Sequence, residues 1–488
     1  MATEAAAQMA VAPRESARVE AWWVYPAIPM LAAAIAFAWF LHGLLQRMYG
    51  MTSESWDLAY DQQVIWGITQ GDWFYSSFAR ANFLGIHLEL IFLPIAAIEK
   101  LWPSPIVLAI VSAAGLAASG PAAYLFFRAI LPADRREAPW LALALAVPVP
   151  FSVAIQEAAR DFFHPENMAL PFALVAAWAG LRGRRVWMWS FVLLDLTCKE
   201  DQVYTVAVLA LLMRSYGAPV VQKHWRFLVY LAIFWFLVGT GIVQQHLRAP
   251  NGYTDFVYYR WLIHLDPNVP VSTLSVLQAL VRPGALLMLG AVIASMFGLP
   301  LLAPRWLLLV IPPYLANVLS EHVPQNTLNL HYILLLMFPL MVAGGVGGRH
   351  FLERVRLRPA IALAAALPAL ILGWGYGGFP PALLGWDWAY SRPNAVAQLQ
   401  EAASVIPADA PVNADSGLDV WLANRPVIND FPDMLAADCY VVIDNQAYYH
   451  GSNTDPDKYK AAAQALPSSG RRLIYDDGRF QVWSPVGD

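Results

Sequence analysis

Arg160-Asp161-Phe162-Phe163-His164-Pro165-Glu166-Asn167 sets acids, a base and a histidine between two apolar runs, Trp140 to Ile155 and Met168 to Leu181. Each run approaches the ~20 residues that a helix needs to cross a bilayer. Ionisable groups at such a junction are costly in lipid and are kept where they work. The stretch therefore reads as the turn between two membrane helices. The fold follows from which side of the membrane it faces and what else faces it.

Composition supports a membrane chain. Of 488 residues, 58% are hydrophobic and only 14% charged, with mean hydropathy +0.46. That excludes an ordinary soluble enzyme, and no nucleic-acid partner is expected. The 20 Trp and 20 Tyr suit interfacial belts. Cys198 lies in an apolar run and Cys439 in a polar tail, so no disulfide framework is expected. Arg14, Glu15, Arg18 and Glu20 precede the first apolar run, and no convincing cleavage site follows it. The run reads as an uncleaved span.

Apolar runs fall at 24–45, 83–99, 105–129, 138–156, 167–182, 186–213, 226–247, 281–303, 306–320, 332–346 and 359–377. If each crossed once, basic loops would alternate between the two sides, against the cytoplasmic preference of Lys and Arg. Two changes repair this. Residues 83–99 hold His87 and Glu89 and end at Lys100-Leu101-Trp102-Pro103, so they read as a helix lying in the outer interface. Run 186–213 breaks at Lys199-Glu200-Asp201 into two short helices meeting in a protein-lined turn. Loops 128–137, 182–185, 214–226 and 349–358, all basic, then become cytoplasmic. Loops 46–104, 157–166, 199–201, 248–280 and 321–331 face outward.

The result is an all-α polytopic membrane domain over 1–379, with about 11 transmembrane helices and a first outer loop at 46–104. Residues 380–488 read as an extracytoplasmic soluble α/β domain. Helices are expected over Asn394 to Val405 and Asp457 to Leu466. Strands are expected over Pro411 to Ala414 and Cys439 to Asp444. A hairpin closes the domain through Leu473 to Tyr475 and Phe480 to Trp483, turning at Asp476-Asp477-Gly478.

Five outer elements carry ionisable groups. Asp57 and Asp61 stand four apart beside Trp56, Tyr60 and Trp66. They are either carboxylates reaching into a cavity or the wet face of an aromatic anchor. His87 and Glu89 interrupt an apolar run, as ligands, as a proton relay or as bonds to a neighbouring loop. Pro165, Glu166 and Asn167 suit a helix start, which leaves Asp161 and His164 unexplained. Lys199, Glu200 and Asp201 suit two helix ends by sign, or Lys199 binds a phosphate as a point charge. His322 and His331 reach the same side. Such a set could hold a divalent metal, although no tight His-x-x-x-His spacing occurs.

In their order, Asp57-x-x-x-Asp61-Gln62, Gly85-x-His87, Asp161-Phe-x-His164-Pro165-Glu166, Lys199-Glu200-Asp201 and His331-Tyr332 resemble a bacterial family of multipass membrane proteins of unassigned function. Ile406 to Val412, Asn424-Arg425-Pro426 and Ala437 to Asp444 are similar to that family's outer domain. More distantly the chain resembles the GT-C glycosyltransferases, which use polyprenyl-phosphate-linked sugars at the outer face. The resemblance implies catalytic carboxylates at Asp57, with Asp61 second, and at Asp161. It also matches Thr197-x-Lys199 to a turn common in the superfamily, and it fits an interfacial helix in the first outer loop. Asp57 is followed by Leu58, where some members have an Asp-Glu pair.

The function this implies is an inverting transferase in the bacterial cytoplasmic membrane, N-terminus inside. It would move a sugar from a polyprenyl-phosphate donor to a glycan, lipid or protein acceptor. Asp61, His87, His164, Glu166, Lys199 and His331 would line the substrate site. The alternatives are a transporter or flippase of a lipid-linked saccharide, and a non-enzymatic assembly protein. Two related halves with paired broken helices would favour transport, and none is evident.

Overall fold

In hydrocarbon every backbone N–H and C=O must be bonded within its own segment, so long apolar runs fold as helices. The computed structural model describes residues 24–53, 55–248, 257–262, 272–377, 393–447 and 455–487. The segment holding Arg14 to Glu20 and the expected boundary at 379/380 lie outside the described residues, as does part of loop 248–280. Among the described residues, six helices are long and apolar enough to cross a membrane: Tyr25–Tyr49, Ile106–Ile130, Ala138–Arg160, Pro219–Leu247, Thr273–Ser295 and Val323–Arg354. Glu166–Leu181 and Pro359–Gly373 are shorter apolar helices.

Burial separates the centre of the bundle from its rim. Val323–Arg354 is 89% buried over its most apolar window, whereas Pro219–Leu247 and Thr273–Ser295 are 22% buried. The central helix carries Gly344, Gly345, Gly347 and Gly348. A Cβ at Gly347 would meet the Leu299 carbonyl oxygen at 1.9 Å. Small residues there let backbones approach, which is how helices pack where lipid removes the hydrophobic drive.

The elements that position the site are helices α1 (Val24–Tyr49), α2 (Tyr60–Gln70), α3 (Phe92–Glu99), α4 (Ile106–Ile130), α5 (Ala138–Ala146), α6 (Val153–Arg160), α7 (Glu166–Leu181), α8 (Arg185–Leu196) and α9 (Val203–Tyr216). Pro148 and Pro150 interrupt the α5–α6 span with a short 3-10 turn, Val149–Phe151. The run 186–213 divides as expected, with a 3-10 turn Glu200–Gln202 between α8 and α9.

Two expectations need correction. Residues 83–99 do not form one helix. A 3-10 turn, Phe83–Gly85, leads through an irregular stretch to α3. At Gly85 a Cβ would meet the Leu247 and Arg248 backbone at 2.6 Å, so this close crossing sets the path of the chain. Run 306–320 is helical over Ile311–Val318 behind short turns, because Pro312 and Pro313 fit only a first helical turn.

The C-terminal residues form a five-stranded sheet in the order β4-β3-β5-β7-β6. Its strands are β3 (Val412–Asp415), β4 (Ile428–Phe431), β5 (Tyr440–Asp444), β6 (Leu473–Asp476) and β7 (Phe480–Trp483). The β1–β2 hairpin (Tyr75–Ser76, Ala81–Asn82) lies in the first loop. Strands β4, β3 and β5 are parallel, and the closing hairpin is antiparallel. Strand β4 and helix Ser416–Leu422 were not evident in the sequence.

This sheet is seated on the first loop. Trp421 Nε1 donates to the Met48 carbonyl at 3.1 Å. Ser77 Oγ donates to the Ile428 carbonyl and accepts from the Ile428 N–H at 3.0 Å. Gln62 Nε2 lies 2.7 Å from both Glu99 Oε1 and Asn424 Oδ1.

Candidate functional site

The loop between α6 and α7 reverses sharply because Phe162 takes a left-handed backbone, φ 60°. A bulky residue there costs on the order of 1 kcal/mol or more, so the surroundings must fix it. Its carbonyl accepts from Ser112 Oγ at 3.0 Å and from Asn167 Nδ2 at 3.1 Å. The Arg47 guanidinium lies 3.8 Å from the centre of its ring. Phe162 and Phe163 are fully buried. Asn167, read from the sequence as part of a helix start, also ties this turn to α4 through Ser112.

The reversal brings Asp161 and His164 together, with His164 Nε2 3.2 Å from Asp161 Oδ2. His331 comes from the 3-10 turn Leu330–Ile333, and its Nδ1 bonds the same carboxylate oxygen. The two imidazoles stack with centroids 3.8 Å apart. Glu157 anchors the incoming turn by accepting from the Leu330 N–H at 3.2 Å. The sequence does little to single out Glu157. Its only signal was an acid near the end of an apolar run, three residues before Arg160.

Glu166 does more than start α7. It forms an ion pair with Lys199, the two side chains being 6% and 12% exposed. Its Oε1 also lies 3.7 Å from His331 Nε2. Glu200 holds His87 at 3.0 Å and accepts from the Leu88 N–H at 2.9 Å. The 3-10 turn after α8 is thereby stapled to the first outer loop, and the Ile91 N–H bonds the Thr197 carbonyl at 2.9 Å. Asp57 stands half-buried in a π-turn, Ser55–Ala59, and Asp61 is buried on α2.

The charges of these groups act on one another. Burial, then Asp57 and Glu166, push the Asp61 carboxyl well above its ordinary range, against the pull of His164 and Lys199. Burial, then Asp61, raises Glu89 in the same way. Burial also works to raise Asp161, but His164 and His331 overrule it and hold the carboxyl well below the usual range. Burial would lower His164, yet Asp161 raises it to about 9. Lys199 is likewise held cationic, burial being outweighed first by Glu166. The recess therefore sets two acids pushed toward their protonated form, Asp61 and Glu89, beside the paired charges.

Of the residues nominated from the sequence, Asp161, His164, Glu166, Lys199 and His331 join in direct contacts. Asp57 and Asp61 share their electrostatic surroundings, and His87 touches the cluster through Glu200. His322 instead packs its ring against Tyr258, tilted at 34°, and edge-on against Tyr332. Ligand atoms of Asp161, His164 and His331 all lie within 4.8 Å of one another. This donor set suits a divalent cation such as Zn²⁺.

Residues 47–466 match the family of predicted membrane proteins DUF2079, and the chain belongs to it. No curated protein matches the chain significantly. Among solved structures, ArnT from Cupriavidus metallidurans in the apo state is similar at TM-score 0.53 and 13% identity, over 95% of this chain and 98% of that one. ArnT from the same organism bound to undecaprenyl phosphate is similar at TM-score 0.48 and 13% identity, over 96% and 99% of the two chains. The likeness to the apo structure shows a shared GT-C-like fold, as the loop motifs led us to expect.

Proposed function

We propose that this DUF2079 member is a membrane glycosyltransferase that moves a sugar from a polyprenyl phosphate to an acceptor hydroxyl, with inversion. One observation carries the reading: the Asp57 carboxylate stands within electrostatic reach of the buried His164 imidazole and of Asp61, on which Lys199 also acts. A base thus adjoins a site for a leaving phosphate. Asp57 takes the acceptor proton. The acceptor oxygen attacks the anomeric carbon opposite the phosphate, and the carbon–oxygen bond to phosphate breaks. The electron pair leaves on the polyprenyl phosphate, where Lys199 and His164 stabilise the charge.

Asp161 is the weaker candidate for the base. Two histidines share its carboxylate and hold it ionised, so its role is to position them. The basic loops at the far ends of the helices support a cytoplasmic face there and an extracytoplasmic recess in a bacterial inner membrane, with about 11 crossings. The sheet would then lie outside, as an extracytoplasmic domain over 380–488, and help to frame the acceptor side.

The test uses membranes carrying the full chain and lipid-linked sugars, with released polyprenyl phosphate read by mass spectrometry. Asp57→Asn should lower release by roughly 10²–10⁴-fold while leaving the melting midpoint unchanged. Unchanged release would remove Asp57 as the base. Movement of the intact donor across proteoliposomes without bond cleavage would favour a transporter. Buried acids pushed toward their protonated form, Asp61 and Glu89, suit that second reading.

A further inference from the structure

Helix α7 begins at the cluster just described and ends at a different kind of site. Over Glu166–Leu181 it rises about 22 Å at 1.5 Å per residue. Beside its last turn, the end of α4 and the α7–α8 turn border an open cavity of about 370 Å³ lined by Tyr124, Leu125, Arg128, Trp178, Arg182 and Arg184. That is within the range of small-ligand pockets, about 300–1,000 Å³.

Three guanidinium groups line it and no carboxylate does. None of the three pairs with an acid among the described residues. Arg128 Nη1 is buried without a hydrogen-bond partner. Arg182 Nη2 donates to the Arg128 carbonyl at 3.2 Å, which holds the turn against the end of α4. The Arg184 guanidinium lies 5.0 Å from the centre of the Trp178 ring. A buried donor left unbonded is costly, and planar guanidinium groups match phosphate oxygens in pairs. Tyr124 and Trp178 are the residue types that settle at headgroup depth.

We propose that this pocket binds the phosphate headgroup of an anionic membrane lipid, on the membrane face opposite the Asp161 cluster. Leu125, Trp178 and the flanking helices would lie along the acyl chains, and Arg128, Arg182 and Arg184 would share the phosphate. A free phosphate ion has the same headgroup chemistry but gains nothing from the apolar wall.

The full chain is placed in nanodiscs of phosphatidylcholine with a minor fraction of phosphatidylglycerol, and retained lipid is counted by native mass spectrometry. Wild type should retain phosphatidylglycerol above its bulk fraction. Arg128→Gln/Arg184→Gln should lose this preference by roughly 25-fold, at about fivefold per guanidinium near a lipid surface. Arg136→Gln, on the exposed basic loop outside the pocket, should keep the preference. The variants' melting midpoints in phosphatidylcholine alone check folding. If Arg136→Gln lowers retention as much as the double variant, the attraction is diffuse and the pocket is not a site. Equal retention by wild type and the double variant overturns the proposal. Displacement of the lipid by millimolar inorganic phosphate would assign the pocket to a free anion and overturn the lipid assignment.

Discussion

Glu166→Gln removes one partner of a buried ion pair and leaves the Lys199 ammonium without its nearest counter-charge. Both side chains are almost inaccessible, at 6% and 12% exposure. Breaking such a pair from one side costs about 3–5 kcal/mol, because the remaining charge stays buried. Lys199→Met strands Glu166 in the same way, although His331 3.7 Å away relieves part of the cost. The double variant Glu166→Gln/Lys199→Met removes both charges, so it should recover most of the loss. The expected coupling is at least about 2 kcal/mol, well above the ~0.5 kcal/mol scatter of additive pairs.

The assay is the apparent melting midpoint of the full chain in one detergent, which ranks variants without assuming two-state unfolding. Both single variants should melt below wild type, and the double variant above the worse single. Additive losses would refute the buried pair as the element that joins α7 to the α8–α9 turn. Activity divides the roles further. The double variant should be folded but should release little polyprenyl phosphate, because it lacks the Lys199 charge.

Glu99, bonded to Gln62 beside Asp61, supplies a pH test. Burial raises its carboxyl to about 7, against bonds from Gln62, the Ser104 backbone and Asn424. A raised folded value means that its contribution is fully present below the unfolded value near 4.5 and is lost as pH rises to about 7. The loss is on the order of 3 kcal/mol. The wild-type midpoint should therefore fall between pH 5 and 8 by more than that of Glu99→Gln. Parallel curves would show that Glu99 is already ionised at pH 5. Asn167→Leu should loosen the loop without touching an acid, since the Phe162 carbonyl loses a donor worth about 1–2 kcal/mol. Faster amide exchange across 161–165 would show this, and wild-type exchange there would refute it.

Much of the fold is legible because membrane helices announce themselves locally. The apolar runs at 24–45, 105–129 and 167–182 became α1, α4 and α7, with ends a few residues away. The break at Lys199 was readable because three charges cannot sit in lipid. Strands β5, β6 and β7 carried enough apolar pattern and turn signal to stand out. Strand β4 did not, since Ile428-Asn429-Asp430-Phe431 reads as a strand only beside β3.

The amino-acid sequence by itself determined that helices form, where most of them break, and that acids and histidines gather in the loops between them. These are properties of short windows, set by hydrophobicity and backbone bonding. Only the tertiary structure decided the pairing. His331 meets Asp161 across 170 residues and Lys199 meets Glu166 across 33. No local pattern encodes such partners. They are chosen because a charge buried in a membrane bundle must be matched by whatever the packed helices bring within reach. That made Glu166, at a helix start, half of an ion pair, and it set two histidines against the Asp161 carboxylate.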